Sequence, residues 1–97
     1  MLTIKRTTEF DDWLSSLNCK EQSQVLARLH RIQVYEHFGD MKSLGNGLYE
    51  LRWKNGWRAY FIIGATDSIL LLVGGHKNEQ KKDIKKAQLY LIRYGAH

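Results

Sequence analysis

Residues 47–61 read GLYELRWKNGWRAYF, which sets Arg52, Lys54 and Arg58 among two tryptophans and two tyrosines. A guanidinium stays charged and donates paired hydrogen bonds that match the oxygens of a phosphate. Aromatic rings beside it can stack on a base or donate to a phosphate oxygen. Binding and stabilising a phosphate is therefore the chemistry this mixture suits. Further on, the run GGHKNEQKKDIKK is basic again. His76 and Lys77 would stand where a strand exits the sheet, a place where sites often collect. His76 normally titrates near neutrality, which makes it a candidate proton carrier. The plain alternative is an exposed loop histidine.

What the arginines do depends on hairpin register. A two-residue Asn55-Gly56 loop would set Trp53 opposite Arg58 and mix charge with apolar residues. A three-residue loop, Lys54-Asn55-Gly56 with Gly56 left-handed, sets Trp53 opposite Trp57 and Arg52 opposite Arg58. Tyr49, Leu51, Trp53, Trp57, Ala59, Phe61 and Ile63 then share one face. Leu48, Glu50, Arg52, Arg58, Tyr60 and Ile62 share the other. The second register sorts the residue types better and is the expected one. It places like charges side by side, which destabilises a strand pair unless something offsets it. Glu50 offsets part, and an anionic ligand docking there would offset more. Tyr60, on the same face, is a candidate contact for that ligand, as is Lys54. The competing reading is a Glu50–arginine surface cluster with Tyr60 as packing.

These strands need elements to position them. LTIKRT alternates as a first strand. Thr8 and Asp11 have the spacing of a capping box, and Phe10, Trp13, Leu14 and Leu17 follow at helical intervals. Asn18 with Glu21 starts a second helix, striped by Val25, Leu26, Leu29 and Ile32 and ending near Gly39. LYELRW and WRAYFII are strands. SILLLV, residues 68–73, is an unbroken apolar run that suits a strand buried on both faces. Asn78 is placed to cap a last helix bearing Ile84, Ala87 and Leu91 on one stripe. The expected order is β-α-α-β-β-β-α, an α+β fold with helices packed on a curved antiparallel sheet.

Composition agrees with one domain over residues 1–97. The chain has 97 residues, 43% of them hydrophobic, enough for one core and too few for two. No apolar run approaches a bilayer span and the amino terminus lacks a signal-peptide layout, so no membrane partner and a cytoplasmic location are expected. The single cysteine, Cys19, excludes an internal disulfide and reads as a buried or incidental thiol. His30, His37 and His97 read as structural or surface residues. No spaced ligand set for a metal is present, and no cofactor motif. The net charge of +5 is uneven. Residues 1–40 hold five Lys/Arg against six Asp/Glu, and residues 41–97 hold ten against four. The basic half suits a polyanion or an acidic protein partner.

The combination of SLGNGLYELRW, WRAYF and LLLVGGHKNEQKKDIKKA resembles the RelE/ParE superfamily of bacterial toxin–antitoxin toxins, and within it the HigB-like branch of addiction-module killer proteins. The resemblance spans nearly the whole chain. It implies a compact α+β fold and a toxin held inactive by a cognate antitoxin, of helix-turn-helix type in this branch. RelE- and HigB-type members cut mRNA on the ribosome without a metal, whereas ParE members poison DNA gyrase on the same fold, so fold alone does not choose between them. By position, Arg58 matches the arginine that stabilises the scissile phosphate, Arg52 a basic strand residue of the nuclease site, and Lys77 a basic residue just after the final strand. Gln80 and Lys81, in the matching GG-x-K-x-x-Q-x-x-DI segment, join the candidate substrate contacts. Where the archetype has a base-stacking tyrosine, this chain has Asp83 followed by Ile84.

A metal-free cleavage of RNA needs a proton acceptor for the 2′-hydroxyl, charge to stabilise the phosphorane, and a donor for the leaving 5′-oxygen. Arg52 and Arg58 suit the second task. His76 or Asp83 suits the first and Lys77 the third. The expected activity is a ribosome-dependent mRNA endonuclease, the alternative a non-enzymatic gyrase poison.

Overall fold

Thr7, Asn18 and Gly56 set the main breaks in the chain. In the computed structural model, which describes residues 1–64 and 67–95, β1 (Thr3–Arg6) leads into α1 (Thr8–Ser16) and α2 (Cys19–Tyr35). Four further strands follow: β2 (Met41–Gly45), β3 (Leu48–Arg52), β4 (Trp57–Gly64) and β5 (Ser68–His76). A single 3-10 turn, Lys77–Glu79, then feeds α3 (Gln80–Gly95). His97 lies outside the described residues. No helix among those described is long and apolar enough to cross a membrane.

The helix starts follow side-chain chemistry, with one shift from the sequence reading. Thr7, not Thr8, caps α1: its hydroxyl accepts from Phe10 N at 3.0 Å and donates to Leu72 O at 2.6 Å. A buried hydroxyl that can serve both partners outcompetes its exposed neighbour, and Asp11 pairs instead with Arg6 at 3.0 Å. Asn18 and Glu21 form the full reciprocal box at α2. That helix ends at Tyr35, short of Gly39, because Glu36 turns left-handed.

The sheet order is β1-β5-β4-β3-β2. Strands β2 to β5 form an antiparallel meander, and β1 joins the far edge parallel to β5. The mixed direction and β2 itself depart from the expected order. β2 has no clean alternation to betray it: it is an edge strand, largely exposed, with a bulge between Ser43 and Gly45. β5 is interior, as its apolar run implies. A bulge between Tyr60 and Phe61 leaves Leu72 as an extra residue on β5, so Leu72 and Val73 both pack beneath α3.

Two apolar clusters sandwich the sheet. Phe10 and Leu14 of α1, with Val25, Leu29 and Ile32 of α2, cover Leu51, Ala59, Phe61 and Leu71. Phe61 stacks between Phe38 and Tyr49, at ring separations of 5.6 and 5.5 Å. On the opposite face Ala87, Ile84 and Leu91 of α3 cover Leu48, Tyr60, Ile62, Leu72 and Val73.

Candidate nucleic-acid interface

The three-residue hairpin forms as the alternation requires. Arg52 stands opposite Arg58, Trp53 N donates to Trp57 O at 3.0 Å, and Gly56 has φ of +100°. A side chain at Gly56 would also meet His76, its Cβ 2.5 Å from Nε2. The turn is fastened to the start of the last helical segment by Lys77 N, which donates to Gly56 O at 2.8 Å.

The face under α3 is apolar at one end and polar at the other. At the polar end Glu50 stands opposite Tyr60, next to the Arg52–Arg58 pair. Glu50 is fully buried. Burial alone would push its carboxyl up, but hydrogen bonds from Arg52 Nε to Oε1 and from Gln80 Nε2 to Oε2, both 2.7 Å, bring it below its ordinary value. The carboxylate therefore stays charged and holds two candidate site residues at once. It answers the like-charge problem on one side only, because Arg58 makes no ion pair with it. Arg58 Nη1 donates to the carbonyls of Trp53 at 3.2 Å and Trp57 at 3.0 Å. Its Nε is buried and has no protein partner.

Asp83 comes to the same face. Gly75 pairs with Arg58 across β4 and β5, and the Asp83 carboxylate lies directly over Gly75, where any Cβ would overlap it. Asp83 is 8% exposed, and burial raises its pKa, with Lys86 pulling the other way.

Two expected members are elsewhere. The side chain of His76 points to the opposite face: its ring sits edge-on to Trp57 at 5.0 Å, and Nδ1 accepts from Asn78 N at 3.4 Å. It caps the 3-10 turn that feeds α3, the helix for which Asn78 was the expected cap. The reason is parity, since the residue after Gly75 must face away from Arg58. Tyr60 is on the expected face but fully buried, unavailable for stacking on a base while α3 is in place. Burial first, then the Glu50 carboxylate, pushes its hydroxyl well above the usual range. Lys54, Lys77 and Lys81 are exposed around the rim.

Arg28 was not legible in the sequence. Its guanidinium lies 4.6 Å from the centre of the Trp53 ring and donates to the carbonyls of Phe38, Asp40 and Arg52. It ties α2 and the loop after it to the end of β3. Burial lowers its pKa, but an arginine starts so far above neutrality that it remains a cation. A spacing rule cannot find it, because its partners are backbone carbonyls. Glu50 did carry a signal, two residues before Arg52 on one strand face.

A family model for phage-derived Gp49-like proteins matches residues 12–94. The chain belongs to the Gp49-like family. An uncharacterised protein of Haemophilus influenzae is 42% identical over 97 residues, 97% of either chain. Among solved structures, the isolated E. coli RelE toxin aligns with a TM-score of 0.67 at 11% identity, over 89% of this chain and 98% of that one. The RelB–RelE antitoxin–toxin complex of Methanococcus jannaschii gives 0.66 at 13%, over 80% and 95%. The RelBE complex of Mycobacterium tuberculosis gives 0.66 at 19%, over 77% and 96%. This Gp49-like chain has the RelE toxin fold.

Proposed function

We propose that this Gp49-like protein is the toxin of a toxin–antitoxin pair and acts as a metal-free endoribonuclease on mRNA at the ribosome. The observation that carries the reading is the Arg52–Arg58 pair, set side by side at the open end of the α3 face. One guanidinium is held by Glu50, and the other keeps a buried Nε–H without a protein partner. Such an arrangement suits the non-bridging oxygens of a phosphorane, whose charge grows as the reaction proceeds.

In the proposed reaction the 2′-oxygen bonds to phosphorus and its proton passes to a base. The bond from phosphorus to the 5′-oxygen then breaks, and that oxygen takes up a proton. Asp83 is the better base of the two considered, since it shares the arginine face and its raised pKa makes it a stronger acceptor than an ordinary aspartate. His76, which faces the other way, supports the turn instead. Lys77, on the rim beside the turn, is the proposed proton donor. Gln80 orients Glu50 and, with Lys54 and Lys81, borders the path of the strand.

The proposed partner is a cognate antitoxin, of helix-turn-helix type as in the HigB-like branch. Two of the matched structures are toxin–antitoxin complexes, which supports a partner of that kind. So does the outer side of α3, where Leu89 and Ile92 are exposed and Lys81, Lys82, Lys85 and Lys86 surround Leu89. An acidic amphipathic segment would suit that surface.

The test is a pulse of expression in a bacterium, with new RNA 5′ ends mapped across the transcriptome, beside Arg58→Ala. New ends within translated frames, reduced about a hundredfold or more in the variant, are expected. Growth arrest without new ends, accompanied by a DNA-damage response, would overturn the nuclease and favour gyrase as target.

A further inference from the structure

A cleft of about 500 Å³ opens beside the hairpin, lined by Gln24, Arg28, Arg31, Asp40 and residues 52–55. Such a volume falls in the range of small-ligand sites. Three of its properties point the same way. Its lining holds four cations, Arg28, Arg31, Arg52 and Lys54, against one carboxylate, Asp40. Its lining sets a cation over a ring, the Arg28 guanidinium 4.6 Å from the centre of Trp53, whose Nε1–H is buried without a protein partner. At its rim two side-chain amides meet, Asn55 Nδ2 donating to Gln24 Oε1 at 3.2 Å, both exposed. Arg52 links the cleft to the arginine pair: its carbonyl accepts from Arg28 on the cleft side, and its guanidinium is bonded to Glu50 on the α3 face.

We infer that this cleft is a nucleotide subsite: it takes the nucleotide adjoining the phosphate held by Arg52 and Arg58. The inference rests on the nuclease reading and extends it to a place where sequence preference is set. Arg31, exposed on the cleft wall, meets the neighbouring phosphate. Gln24 and Asn55, which now satisfy each other, exchange that bond for the edge of a base. Their amides offer both donors and acceptors, so the subsite reads base edges and does not merely attract charge. An acidic protein segment would use the cations but leave this amide pair idle.

The experiment uses intact ribosomes and the full chain. Binding is measured by fluorescence anisotropy to ribosomes programmed with a 2′-O-methylated, uncleavable mRNA in the A site, and to ribosomes without mRNA. Arg31→Ala and Gln24→Ala alter exposed side chains and leave the core untouched. The expected result is that Arg31→Ala weakens binding about tenfold on programmed ribosomes only, the loss of one charge-assisted hydrogen bond. Gln24→Ala should change which A-site bases are preferred when cleavable messages are compared. If Arg31→Ala weakens both ribosome forms equally, the cleft touches ribosomal surface and the subsite is refuted. If both variants bind and select like the wild type while Arg58→Ala abolishes cleavage, the subsite is refuted and the nuclease stands. A wild-type protein indifferent to the presence of mRNA would remove both.

Discussion

The two faces of the sheet are built from the same strands and solve different problems. The face under α1 and α2 is packed throughout with rings and aliphatic chains. The face under α3 changes character halfway, from Leu48, Ile62 and Leu72 to Glu50, Arg52 and Arg58. One half of α3 therefore packs on apolar side chains, and the other lays Gln80 and Asp83 over a charged patch. If the polar half is the site proposed above, stability and chemistry are divided between faces, so that damage to one should leave the other readable.

That division can be broken most forcefully from the apolar side. Phe61→Ala removes a fully buried ring from between two others and should cost about 3–5 kcal/mol in urea unfolding. Cleavage per folded molecule should stay near the wild-type value; a parallel loss would mean that the faces are not separable. Gly74→Ala comes next. Its methyl would enter the Trp13 ring, so about 1–3 kcal/mol of destabilisation is expected, as for other overpacked cores.

The polar side is sharpened by two carboxyl variants. Glu50→Gln should lower cleavage about tenfold by loosening Arg52, since a charge-assisted bond becomes a neutral one. Its pH signature follows from sign. The folded pKa of Glu50 is depressed, so its contribution to stability is complete above the ordinary glutamate value of 4.5 and is lost as pH falls through the lower folded value. The Tm difference between wild type and variant should therefore shrink on acidification below 4.5. Asp83→Asn should show the smallest effect on folding and the opposite sign. A raised folded pKa means the ionised form opposes folding, so stability falls as pH rises from 3.8 through the folded value. The variant should melt slightly above the wild type at neutral pH and lose that margin below 3.8. A variant that melts lower at pH 7 would mean that the Asp83 carboxylate is held by favourable bonds.

Alternation made much of this legible. The facing of Arg52 and Arg58, the left-handed Gly56 and the buried β5 all follow from a period of two with a three-residue turn. What escaped has identifiable causes. β2 is short, exposed and bulged, so no periodic signal survives. Burial of Tyr60 depends on where α3 lies, which no strand pattern reports. The direction of His76 follows from parity, and would have been readable had Gly75 been counted as opposite Arg58. Arg28 works through carbonyls, which leave no trace in residue types.

The adjacent glycines at the end of β5 have one further consequence. Trp13 rests on Gly74 from one side and Asp83 on Gly75 from the other. Any single replacement of glycine adds at least one carbon, so neither position has a neighbour in sequence space that keeps the fit. In a saturation library these would be two adjacent intolerant columns failing for unlike reasons. The first would lose folded protein, and the second would displace the carboxylate while protein still accumulates. The dipeptide thus offers a genetic ruler, one residue long, for telling loss of fold from loss of function.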